Sequence, residues 1–158
     1  MIDSSMPSAQ PAIEQLDDQP NLLMGLIGGA IAMLVGAIVW GAITYFTNYQ
    51  IGWIAIGVGF LVGIALRFFG RGKTTIFGIS GAVLALIGCL LGNLMFYAGA
   101  IAREEGAPFL NVLFLLLLNP AAAVEVFTIA FDFMDILFYG LAAYAGFSTA
   151  MDLKRNRK

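Results

Sequence analysis

Four residues in the last third of the chain have types and spacing suited to chemistry: Glu125, Thr128, Asp132 and Asp135. They stand at i, i+3, i+7 and i+10, which sets them along one face of a continuous helix, with Val124, Phe127 and Phe131 between them. A row of carboxylates beside a membrane gathers cations or protons at the mouth of a pathway. The same row also fits a helix lying on the membrane surface with its acids in water, Asp132 or Asp135 capping the element that follows. From sequence both readings stand. Two carboxylates three positions apart on one helix do not flank a scissile bond from opposite sides, so paired-carboxylate hydrolysis is not expected.

A second string, RFFGRGKT at 67–74, resembles a phosphate loop but has Arg67 where that motif has its first glycine. The motif also needs a buried strand ahead of it, and here an apolar helix-length run precedes it, so no nucleotide is expected. Arg67, Arg71 and Lys73 instead suit anionic lipid headgroups, as do Lys154, Arg155, Arg157 and Lys158 in the tail. The chain has no histidine, which removes the commonest general base and metal ligand. Cys89 is its one cysteine, so neither an internal disulfide nor a cysteine-ligated zinc site is available. No catalytic residue, cofactor or metal is expected. Eight basic against ten acidic residues give a net charge of −2, without the basic face of a nucleic-acid binder.

The elements that would carry these residues follow from composition. The 158 residues are 60% hydrophobic and 11% charged, against about 45–50% and 25% in soluble domains. Residues 1–20 are acidic and rich in proline, lack a basic start, and read as a disordered cytoplasmic tail rather than a signal peptide. Apolar runs of bilayer length then fall at about 22–46, 51–69, 76–102 and 133–151. The intervening segment at about 106–131 is apolar but broken by Asn119-Pro120, with Asn119 suited to capping a helix that begins at Pro120. It reads as an amphipathic interfacial segment, a re-entrant hairpin being the alternative. Counting it as a fifth crossing would put the basic loop at 67–73 and the basic tail at 153–158 on opposite sides. Four spans put both on one side, as the positive-inside rule requires. The expected fold is an all-α integral membrane protein, four spans within 21–152, with both termini cytoplasmic.

Small residues recur at helical spacing in three spans. These are Gly25, Gly29, Ala32 and Gly36; then Ala55, Gly59 and Gly63; then Gly78, Gly81, Ala82, Ala85, Gly88, Cys89 and Gly92. Within lipid, close backbone approach over such residues supplies packing energy. A helical core is therefore expected, with self-association as a further use of the same faces. Trp40, Tyr45, Phe46, Tyr49 and Trp53 cluster where the first two spans meet, and an interfacial belt is the expectation for them. Mid-span polar residues are few and neutral: Thr44, Ser80, Asn93 and Ser148.

The stretch GAIVWGAITYFTNYQIGWIAIGVGFLVG at 36–63, with DILFYGLAAYAG at 135–146, resembles a family of small uncharacterised bacterial inner-membrane proteins. The matching positions are Trp40, Tyr45-Phe46-Thr47 and Ile51-Gly52-Trp53. The resemblance implies a bacterial cytoplasmic membrane and four spans, and carries no activity or site residue. Together these readings point to a non-enzymatic accessory or scaffold protein, in contact with membrane lipids and packing with itself or with a larger membrane complex. A small ion or solute channel using the acidic stripe, and a lipid-organising protein, are the alternatives.

Overall fold

The computed structural model describes residues 20–47 and 52–151. All regular structure among them is helical. Helix α1 (Leu22–Thr47) opens where Asn21 Oδ1 accepts from the Met24 N–H at 3.1 Å, and runs 26 residues without a charge. Helix α2 (Trp53–Gly70) closes where Arg71 adopts a left-handed φ of 51° and its N–H bonds the Arg67 carbonyl. Such a terminal turn satisfies carbonyls that the helix itself leaves open. The Asn21 N–H bonds the Gly70 carbonyl at 2.9 Å, tying the start of α1 to the end of α2. Helices α3 (Thr75–Glu104), α4 (Phe109–Leu118), α5 (Pro120–Ala130) and α6 (Phe133–Met151) complete the chain.

Three helices, α1, α2 and α3, are long and apolar enough to cross a membrane. Helix α6 has 19 residues but carries Asp135 and several polar groups, and is not among them. Helices α4 and α5 meet that test only as a pair, bent by 104° at Asn119. The segment at 106–131 is thus two helices that meet at a steep angle at the Asn119-Pro120 break. The expected cap is present: Asn119 Oδ1 accepts from the Ala122 N–H at 3.3 Å, and Pro120 sits in the first turn, where its missing N–H costs nothing.

Close backbone approaches set the helix directions. Gly25 faces Leu66 and Gly70 while Gly36 faces Val58, so α1 and α2 run antiparallel. Gly29 faces Leu84 and Gly41 faces Met95, so α3 runs parallel to α1. Gly59 abuts Ala142 and Gly63 abuts Gly146, which sets α6 parallel to α2. Gly81 also abuts Gly146, and Gly78 faces Phe147, setting α6 antiparallel to α3. One end of this four-helix bundle therefore carries the loop at 71–74 and the end of α6. The other carries the ends of α1 and α3 and the start of α6. From that second end, α4 folds back along α3, packing Val112 and Leu116 against Leu94, Ala98 and Ala102. The outer surface is a band of exposed aliphatic and aromatic side chains from every helix.

Candidate functional site

The acidic stripe does not share one helix. Helix α5 ends at Ala130, Phe131 is extended, and α6 restarts at Phe133. Glu125 and Thr128 lie exposed on α5, the Thr128 hydroxyl donating to the Val124 carbonyl one turn back. Asp132 is exposed and its Oδ1 accepts from the Phe133 N–H at 2.6 Å. Asp135 is only 6% exposed, and its Oδ2 accepts from the Asp132 N–H at 3.0 Å. A carboxylate at the third helical position reaching back to the residue before the helix is one half of a capping box. This explains the break. Asp at 132 and 135 offers backbone N–H groups a local acceptor that competes with continuation of α5.

One turn further into the bundle lies a buried polar cluster. Asn93 Nδ2 donates to the Tyr139 hydroxyl at 2.7 Å, linking α3 to α6. The Tyr139 hydroxyl in turn points at the Cys89 carbonyl, 3.5 Å away. Trp40 stands edge-on to the Tyr139 ring at 6.4 Å and 84°, and is 1% exposed. Its indole N–H is buried without a hydrogen-bond partner among the described residues. Phe131 packs edge-on to Tyr139 at 5.8 Å, and Phe127 to Tyr97 at 5.7 Å, so aromatic contacts join the α5–α6 junction to the bundle. Gly92 leaves room for the Trp40 ring, since a methyl there would lie 3.0 Å from it. Thr44, one turn after Trp40, is fully buried and donates to the Trp40 carbonyl at 2.9 Å.

Trp40 therefore is not part of an interfacial belt. It continues the register of Gly25, Gly29 and Gly36 on the inward face of α1, and that spacing is the signal from which its burial was readable. Phe46 and Trp53 are exposed at that end of the bundle. Tyr45 turns inward against Gly99 and carries the Arg103 guanidinium 4.4 Å above its ring centroid. Tyr49 lies outside the described residues. The Asn93–Tyr139 pair joins positions 46 apart, and no local pattern announces it.

The small-residue strips sit at the helix contacts. Gly25, Gly29, Gly36, Gly59, Gly63, Gly81, Gly88 and Gly92 are all buried, and Ala55 and Ala85 are fully so. The approach is closest at Gly59, where an added methyl would lie 2.2 Å from the Ala142 carbonyl oxygen. Arg67 is half-buried in the last turn of α2, while Arg71 and Lys73 are exposed in the loop that follows. Lys154, Arg155, Arg157 and Lys158 lie outside the described residues.

Chemically, the buried polar cluster joins helices to one another. Among the described residues, no group of three Cys, Asp or Glu side chains is placed to hold a metal ion. Two apolar hollows open on the surface, of about 310 Å³ where α1, α3 and α4 meet and about 780 Å³ between α3 and α5. Compared with family models, curated proteins and solved structures, the chain matches none of them.

Proposed function

We propose that the chain is a four-span protein of a bacterial cytoplasmic membrane, non-enzymatic, serving as an accessory or scaffold component that packs with itself or within a larger membrane complex. The spans are α1, α2, α3 and α6, with both termini on the cytoplasmic side. Helix α6 is about 28 Å long, close to the roughly 30 Å hydrocarbon thickness. Its one buried charge, Asp135, sits in the first turn and accepts a hydrogen bond, which limits the cost of placing it near lipid.

The α4–α5 pair is a re-entrant hairpin rather than an interfacial helix. Helix α4 has no charged residue and exposes Leu110, Phe114, Leu115, Leu117 and Leu118 around most of its girth. A water-facing helix would not be apolar on that side. At the break, the Asn119 N–H bonds the Leu115 carbonyl at 2.9 Å and the Ala123 N–H bonds the Asn119 carbonyl at 3.1 Å. Those bonds supply what irregular backbone needs at membrane depth.

The observation that carries the scaffold reading is how the interior is used. Its buried side chains are mostly glycine, alanine and aliphatic, and the buried polar residues Thr44, Asn93 and Asp135 are each hydrogen-bonded within the bundle. What the protein offers other molecules is thus its outer surface. The test is crosslinking in native membranes followed by mild detergent extraction. A reproducible homo-oligomer or a stable set of co-purifying membrane proteins is expected. A monomer without crosslinked partners contradicts the proposal.

A further inference from the structure

We infer that α5 is a hinged lid, which opens over Tyr97 and the Asn93–Tyr139 pair while the four-helix bundle stays folded. Two rings close it. Phe127, near the end of α5, packs edge-on against Tyr97 at 5.7 Å and 89°. Phe131, just past that end, packs edge-on against Tyr139 at 5.8 Å and 76°. The same two rings line the hollow of about 780 Å³ between α3 and α5. Each therefore touches the hollow and a tyrosine at once. Tyr97 and Tyr139 are only 7% and 8% exposed, and Asn93 is fully buried.

Helix α5 is lightly anchored. Across 120–129 no side chain is buried, and Ala122, Ala123, Val126 and Phe127 are half-buried. Helix α4, by contrast, buries Val112 and Leu116 against α3 and so stays in place. Segments with few buried apolar contacts lie at the low end of local stability and open before the core does. Both ends of α5 leave helical geometry, Asn119 at φ −117° and ψ 87° and Phe131 at φ −76° and ψ 123°. Hinges are a few element-terminal residues of this kind, which absorb the change in backbone angles. Beyond the second hinge, α6 keeps its own cap, the Asp132 N–H donating to Asp135 Oδ2 at 3.0 Å, so α5 can swing without unwinding it. Open, the lid joins the hollow to the two tyrosines. Closed, its rings separate them.

Hydroxyl-radical footprinting of the full chain in nanodiscs, read by mass spectrometry, tests the lid. Oxidation of Tyr97 and Tyr139 reports opening. Trp40, which packs against Tyr139 from α1 and is 1% exposed, serves as the internal reference. A lock is built in a Cys89→Ala background from Leu91→Cys and Ala123→Cys, which line the hollow from α3 and from α5. A short bis-maleimide joins the two after folding, and the same protein capped with N-ethylmaleimide is the unlocked control. In the control, both tyrosines should oxidise several-fold faster than Trp40. The lock should lower both several-fold and leave Trp40 unchanged. Tyrosines oxidised no faster than Trp40 in the control, or equally in locked and control protein, overturn the inference. So does a lock that lowers Trp40 in parallel, because the opening would then belong to the whole bundle.

Discussion

Replacing Gly59 with alanine adds one methyl group where α2 presses on α6. That methyl would stand 2.2 Å from the Ala142 carbonyl oxygen and 3.0 Å from its carbon, both backbone atoms of a packed helix. It falls about 1.2 Å short of ordinary contact, and a radial gap of about that size forfeits much of the dispersion along a seam that must open to admit it. Two residues earlier in the same helix, Gly57 has nothing within 4 Å of the corresponding position. Both substitutions remove a helix glycine, which alone is worth about 0.5–1 kcal/mol in favour of alanine. That contribution cancels in the comparison, leaving the overpacking cost of about 1–3 kcal/mol. Gly59→Ala should therefore be less stable than Gly57→Ala by roughly 5- to 150-fold in the unfolding equilibrium. Reversible unfolding in mixed micelles, followed by far-ultraviolet circular dichroism, measures the difference. Equal stability, or a more stable Gly59→Ala, would refute the packing of α2 on α6.

The remaining predictions use the same assay. Tyr139→Phe removes a partner of Asn93 and should destabilise by about 0.6–2 kcal/mol, the range for interhelical hydrogen bonds in membranes; a double-mutant cycle with Asn93→Leu should recover that coupling. Trp40→Phe should cost less than Trp40→Ala, because only part of the ring volume is lost and the indole N–H has no hydrogen-bond partner among the described residues. Trp40→Ala, by contrast, should cost about 3–5 kcal/mol through the cavity it leaves. Asp135→Ala should cost about 0.5–1.5 kcal/mol by removing the acceptor of the Asp132 N–H, with faster amide exchange at Asp132 as its local signature.

What the sequence made legible is what repeats locally. Gly25, Gly29 and Gly36, or Ala55, Gly59 and Gly63, repeat at helical spacing, so their shared face was readable along each helix. Asn119-Pro120 encodes a helix start in two adjacent residues, and the cap is formed as those residues imply. By spacing alone the acidic row suits one face of a continuous helix. Asp132 and Asp135 instead use their carboxylates on each other's turn, and the helix restarts there. Residue type alone puts Trp40 in an interfacial belt, whereas its position in the glycine register places it in the core. The Asn93–Tyr139 bond and the Arg103–Tyr45 contact depend on how whole helices meet, and no short window of sequence contains that.

The central claim is that the chain crosses a membrane four times, with α4 and α5 dipping in and returning to the side from which they entered. Single cysteines placed in a Cys89→Ala background test this by labelling with a membrane-impermeant maleimide from each side of sealed vesicles. Lys73→Cys and Lys154→Cys should label from the same side, and Glu105→Cys only from the opposite one. Labelling of Lys154→Cys from the side that labels Glu105→Cys would contradict the account.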